Sequence, residues 1–115
     1  MNQISPQVLS RVAEYFKILS ETSRLQILCS LKSGSKNVSE IMEVTNLGQA
    51  NVSKHLRVLT QAGMLERQPK GVSVFYEIVD PTIFELCDLV CDRLIGQLQT
   101  DSAKLEQLKA FHSKT

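Results

Sequence analysis

One stretch, GQANVSKHLRVLTQAGML from Gly48 to Leu65, most limits what this chain can fold into. Its apolar residues Val52, Leu56 and Leu59 fall at i, i+4 and i+7, a single stripe along an α-helix. Gly63 follows, where a left-handed residue would end that helix. Directly after it, MLERQPKGVSVFYEIV alternates apolar and polar in both halves around Pro69, Lys70 and Gly71. That is the pattern of a β-hairpin with a basic tip. A one-faced helix that runs straight into a hairpin needs other helices to cover its stripe.

The flanking sequence supplies them. Ser5 caps a first helix with Pro6 at its first position, and Val8, Leu9, Val12, Tyr15, Phe16 and Leu19 recur at helical spacing. A second helix starts near Glu21 to Ser23, carries Leu25, Leu28, Cys29 and Leu31, and stops at Gly34. Asn37 and Glu40 have the spacing of a capping box for a short third helix with Ile41 and Val44 inward, and Leu47 and Gly48 make a tight turn. After the hairpin, Asp80 and Pro81 open a long helix with Ile83, Leu86, Cys87, Val90, Cys91, Leu94 and Leu98 on one side. Thr100 to Ser102 interrupt it before a last amphipathic piece with Leu105, Leu108 and Phe111.

The expected fold is therefore mainly α with a small β-hairpin, in the order α-α-α-α-β-β-α. It is one domain over residues 1–115, with a helix-turn-helix at about 37–62 and a wing at about 65–79. Such a winged helix-turn-helix lays its second helix in the major groove of double-stranded DNA. The outward residues suit that use. Gln49 and Asn51 match adenine, Lys54 and Arg57 match phosphate or guanine, and Ser53 and His55 match either phosphate or base. Arg67 and Lys70 put positive charge on the wing.

Charge distribution agrees, although the whole chain carries only +1. Residues 49–71 hold Lys54, Arg57, Arg67 and Lys70 against Glu66, a net +3. Residues 80–99 hold Asp80, Glu85, Asp88 and Asp92 against Arg93, a net −3. The first segment suits a polyanion and the second is repelled by one.

The elements in this order resemble the ArsR/SmtB family of bacterial winged-helix repressors, over roughly Leu9 to Leu98. LSETSRLQILCSL resembles the family's second helix, with Glu21, Thr22 and Ser23 in place of the usual Asp-Pro-Thr. NVSEIMEVTNLGQANVSKHLRVLTQAGML resembles its helix-turn-helix, and GVSVFYEI the second strand of its wing. The resemblance implies a homodimer built on the first and last helices, at about 5–19 and 81–99. It also implies binding to an imperfect inverted repeat and release when an inducer binds. The long apolar stripe of the last helix points to a partner copy independently.

The family's metal sites are missing here. Its third-helix cysteine motif reads KNVSEIM, with Asn37 where the cysteine would stand. Of its last-helix zinc site only Asp80 remains, with Thr82, Arg93 and Gly96 at the other ligand positions. Three cysteines are left as sensing candidates. Cys87 and Cys91, four apart, put their Cβ atoms roughly 5–6 Å apart on one helix face. A direct disulfide needs about 3.5–4.5 Å. A soft ion such as As(III), Bi(III), Cd(II) or Zn(II), or a polysulfide bridge, fits better. Cys29 matches a thiol-sensing branch of the family, in which a second-helix cysteine is linked on oxidation to one on the last helix. Cys91 is the nearer match there, about one turn early. The three as buried apolar fillers is the other reading.

Other classes find little support. A thiol redox enzyme places Cys-x-x-Cys at a helix start, and here Cys-x-x-x-Cys lies inside one. No Ser-His-Asp set or phosphate-binding glycine loop occurs, so the chain is not expected to be an enzyme and needs no cofactor. A winged helix that binds only protein is the remaining alternative. The N-terminus has no signal core and no apolar run reaches a membrane span, which predicts a cytoplasmic protein with reduced cysteines. His112 is expected to be exposed.

Overall fold

The computed structural model describes residues 3–97 and 102–112. Its elements are α1 (Pro6–Leu19), α2 (Thr22–Leu31), β1 (Lys36–Asn37), α3 (Val38–Thr45), α4 (Gln49–Gln61), β2 (Leu65–Lys70), β3 (Ser73–Ile78), α5 (Thr82–Gln97) and α6 (Ser102–His112). The helix-turn-helix and hairpin stand where the sequence predicts them. The interruption expected at Thr100 to Ser102 falls largely outside the described residues, as do Leu98 and the side chains of Leu105 and His112.

Local chemistry explains most of the boundaries. Ser5 Oγ accepts the Val8 N–H at 3.2 Å, with Pro6 opening α1. Asn37 and Glu40 form the reciprocal capping box of α3, each bond 2.9 Å long. Gly63, at φ +81, lets the chain leave α4. The turn between α3 and α4 is made differently from expectation. Asn46 carries its left-handed backbone at φ +61, while Gly48 has ordinary extended geometry as the N-cap of α4. Asn tolerates that region because its short polar side chain bonds locally.

The hairpin pairs Leu65 with Ile78 through Lys70 with Ser73, and Val79 N–H to Met64 carbonyl closes its base at 3.0 Å. A third strand joins it: β1 lies antiparallel to β3, Lys36 opposite Tyr76 and Asn37 opposite Phe75. The sheet thus ties the start of α3 to the wing. Two residues are too few to show a strand period in sequence, so β1 was not foreseen.

One core holds the parts together. Ile27, Leu28 and Leu31 of α2, Ile41 of α3, and Val52, Leu56 and Leu59 of α4 are buried with Met64, Leu65 and Ile83. Helix α1 buries no residue completely. Tyr15, Ile18 and Leu19 pack on the core, but Val8, Leu9, Val12 and Phe16 remain about half exposed. Leu89 and Val90 of α5 are exposed as well. A clip fixes these two helices: Tyr15 Oη donates to Asp80 Oδ2 at 2.8 Å, and Asp80 Oδ1 accepts the Thr82 N–H at 3.0 Å. Burial and that carboxylate push the Tyr15 phenol well above its ordinary range. Asp80 therefore caps α5 and holds α1. Among the described residues no helix is long and apolar enough to cross a membrane.

Replacing Asn37 with Ala removes the α3 cap. It is expected to lower the unfolding free energy by about 1 kcal/mol in urea titrations at fixed protein concentration.

Candidate nucleic-acid interface and thiol cluster

Helix α4 buries Val52, His55, Leu56 and Leu59 and exposes Gln49, Asn51, Ser53, Lys54 and Arg57. The five outward residues form one polar and basic face, in which Ala50 is the small apolar member. Gly48 places no side chain over the first N–H groups of the helix. Arg67 and Lys70 are exposed on the adjoining hairpin. Lys70 Nζ lies 5.3 Å from the centroid of the Phe75 ring, which steadies the ammonium near the tip. At the wing base Glu66 faces Glu77 across the strands, and Gln68 Nε2 donates to both, at 3.2 and 2.6 Å. That amide offsets a repulsive cross-strand pair.

His55 does not belong to the outward face. It is 3% exposed. Its Nδ1 accepts a hydrogen bond from Arg24 Nε at 3.2 Å, so the proton of the neutral ring sits on Nε2, 3.9 Å from Glu21 Oε1. Arg24 also donates to the Ile18 carbonyl at 3.2 Å and pairs with Glu21 at 3.0 Å. One guanidinium thus joins the end of α1, the start of α2 and the middle of α4. The expectation that His55 meets base or phosphate is corrected on this geometry. The signal was in the sequence: His55 lies three residues after Val52, on the same stripe as Leu56 and Leu59.

The three thiols are free and cluster behind α4, between α2 and α5. Cys29 and Cys87 are half-buried and Cys91 is buried. Burial pushes the Cys87 thiol up, opposed by the Lys32 ammonium and reinforced by Asp88 and Cys29. Burial also raises Cys91, whose neighbouring thiol is Cys87, with Lys32 again opposing. Cys29 therefore lies on the Cys87 side of the cluster, although Cys91 is the nearer match by sequence position.

Two further residues complete this region: Phe111, marked by the amphipathic spacing of the last helix, and Lys32, which sequence periodicity does not single out. Lys32 Nζ donates to the Phe111 carbonyl at 2.8 Å and stands 4.8 Å from the centroid of its ring. This pins the end of α6 over the cysteines. A groove of about 660 Å3 runs past Cys29, Thr22, Ser30 and Val44, and a smaller one of about 240 Å3 runs past Cys87, Phe16 and Val90. Leu25 and Phe111 line both grooves. The contact spans 79 residues, beyond the reach of any local pattern. Among the described residues no three His, Cys, Asp or Glu side chains gather to hold a metal ion. An ion on Cys87 and Cys91 would need ligands besides the described His, Cys, Asp and Glu side chains.

A tri-helical unit with an outward basic helix and a basic hairpin beside it defines a winged-helix protein. Residues 21–67 match the family described as bacterial regulatory protein, arsR family. The chain is 34% identical to the HTH-type transcriptional regulator Rv0081 of Mycobacterium tuberculosis (strain ATCC 25618 / H37Rv), over 90% of this chain and 91% of that one. Among solved structures, the AntR antimony-specific transcriptional repressor superposes with a TM-score of 0.76 at 25% identity, covering 86% of this chain and 90% of that one. The homodimeric winged helix-turn-helix domain Mb0332 of Mycobacterium bovis superposes with a TM-score of 0.67 at 28% identity, covering 85% and 92%. The protein belongs to the arsR family, and is a DNA-binding transcriptional regulator.

The Arg24–His55 bond carries a pH dependence. Burial, Arg24 and Lys54 lower the His55 pKa below its ordinary 6.5, outweighing Glu21. Between the lowered value and 6.5 the unfolded chain binds a proton that the folded one refuses. This contribution to stability is full above 6.5, falls as pH drops below it, and levels off under the folded pKa. Urea midpoints measured from pH 7.5 to 5 should fall for the wild type. They should fall less for His55→Gln, whose amide oxygen accepts from Arg24 without titrating.

Proposed function

We propose that this chain is a homodimeric repressor that leaves its promoter when an inducer reacts with its cysteines. The single observation that carries the DNA-binding half is the α4 face. It buries a complete stripe and offers Gln49, Asn51, Ser53, Lys54 and Arg57 together, with Arg67 and Lys70 on the wing beside it. Gln49 and Asn51 address base edges, and the cations address phosphate or guanine. The half-exposed apolar faces of α1 and α5 support a second copy, and a twofold dimer reads an imperfect inverted repeat. The homodimeric state of the similar M. bovis domain supports the same reading.

The inducer half rests on the thiol cluster. Cys29 and Cys87 are the favoured pair. A peroxide takes two electrons and two protons from the two thiols, leaving a disulfide and two waters; a polysulfide takes them with its own sulfane sulfur reduced and released as hydrogen sulfide, and leaves further sulfane sulfur inserted between Cys29 and Cys87. Either bridge ties α2 to α5 beside Leu25 and Phe111. A second reading takes Cys87 and Cys91 as ligands to a soft metal or metalloid. The antimony specificity of the similar AntR repressor supports that alternative. No resident cofactor and no catalytic step is required by either.

Two outcomes test the proposal. In fluorescence anisotropy on the protein's own promoter region, log Kd should depend steeply on log salt. Lys54→Gln and Arg57→Gln should each reduce the slope by about 2, one phosphate contact being lost in each protomer, while the fold stays intact. A winged helix that binds only protein shows no such slope. Polysulfide or peroxide should release the DNA from wild type and from Cys91→Ser, but not from Cys29→Ser or Cys87→Ser. Release by As(III) that survives Cys29→Ser and needs Cys91 would instead establish the metalloid reading.

A further inference from the structure

The wing tip carries a feature that neither the fold nor the basic face accounts for. Lys70 pairs with Ser73, which leaves Gly71 and Val72 as a two-residue loop. Gly71 has φ +63 and Val72 does not enter the left-handed region, the geometry of a type II′ turn. The second position of such a turn is ordinarily Asn, Asp or Ser. Here it is a β-branched apolar residue with a relative exposure of 105%. Val8, Leu9, Val12 and Phe16 share the α1 face, Leu89, Val90 and Leu94 share α5, and Ile4, Val44 and Val79 are each only about half exposed. Val72 is the most exposed of these side chains and stands at the tip, two residues from Lys70.

We infer that Val72 is a sequence-reading residue, packing its methyl groups on the floor of the DNA minor groove and selecting A·T over G·C pairs where the wing lands. The inference rests on the DNA-binding reading above. A·T pairs present only acceptors on that floor, and G·C adds the guanine N2 amino group. A branched aliphatic tip fits against the smooth A·T floor. Against G·C it meets a protruding amino group and leaves its N–H without a partner. The positive charge beside it has the same preference. A·T-rich minor grooves are narrow and more negative, and they draw in Lys and Arg. Apolar side chains inserted there are a recurrent device of minor-groove proteins. Lys70, held over Phe75 and followed at once by the turn, supplies attraction without base discrimination. Val72 supplies discrimination without charge.

Inosine separates this role from the work of α4. An I·C pair keeps the whole major-groove edge of G·C but lacks the N2 amino group, so its minor-groove edge presents only acceptors, as that of A·T does. The probe is a duplex selected by the full-length protein from a randomised double-stranded library, with the wing-protected steps located by hydroxyl-radical cleavage. Wild type should lose at least about fivefold in affinity when A·T becomes G·C at those steps, and should recover most of it with I·C. Val72→Ser, whose hydroxyl accepts from guanine N2, should bind the G·C and I·C duplexes within about twofold of each other. Its preferences at the central, α4-read positions should be unchanged, and its circular dichroism should match the wild type. Equal wild-type affinity for G·C and I·C at the wing steps would overturn the inference, as would undiminished discrimination by Val72→Ser. Failure to select any duplex, with no salt-sensitive binding, would overturn the DNA-binding reading itself, a result distinct from both.

Discussion

The seat of α4 depends on one guanidinium. Arg24 donates to the Ile18 carbonyl, pairs with Glu21 and holds His55 from below the outward face. A helix that carries a polar face for a partner has little else to fix its rotation. Val52, Leu56 and Leu59 set it by burial, which is non-directional. The Arg24–His55 bond adds direction, because it forms at only one rotation of the helix. Every group on the outer face, from Gln49 to Arg57, inherits its aim from that bond and the stripe beneath it. The same arginine reaches α1, so α4 and one of the helices with a half-exposed apolar face share a support.

Charge is partitioned on the same plan. The net +3 of residues 49–71 lies on α4 and the wing, whereas Glu85, Asp88 and Asp92 against Arg93 leave α5 with a net −2 and Asp80 stands just before it. A polyanion attracts the first surface and repels the second, which orients a diffusing molecule before any contact forms. The acidic pair of Glu66 and Glu77 is placed at the wing base and quenched by Gln68, leaving the tip with Lys70. The wing thus presents its cation and its apolar residue first.

Much of this was legible because it is local. The caps at Ser5 and Asn37, the stop at Gly63 and the alternation of the hairpin are each decided by residues within a few positions of one another. Four things were missed or misread. Strand β1 is too short to have a period. Asn46 took the left-handed turn position that Gly48 advertises more loudly, since either residue tolerates it. His55 was read by its chemistry and not by its position, and its place on the buried stripe outweighs its polarity once Arg24 supplies a partner. The thiol cluster lay beyond sequence for a different reason. Lys32 meets Phe111 only after α6 folds back across the domain, and no pattern along the chain encodes a contact at that range.

The cluster's position bears on how an inducer acts. Cys29 and Arg24 are both on α2, five residues apart, one turned toward α5 and the other bonded to α4. A change at the thiols therefore does not have to cross the domain to reach the reading helix. It has to displace α2. An inducer shifts the equilibrium between a binding and a released form only by as much as it favours one of them. Lys32 at the C-cap of α2 holds the Phe111 carbonyl and Arg24 in the first turn of the same helix holds His55, so the contact with α6 and the contact with α4 hang on one element, and a displacement of α2 loads both.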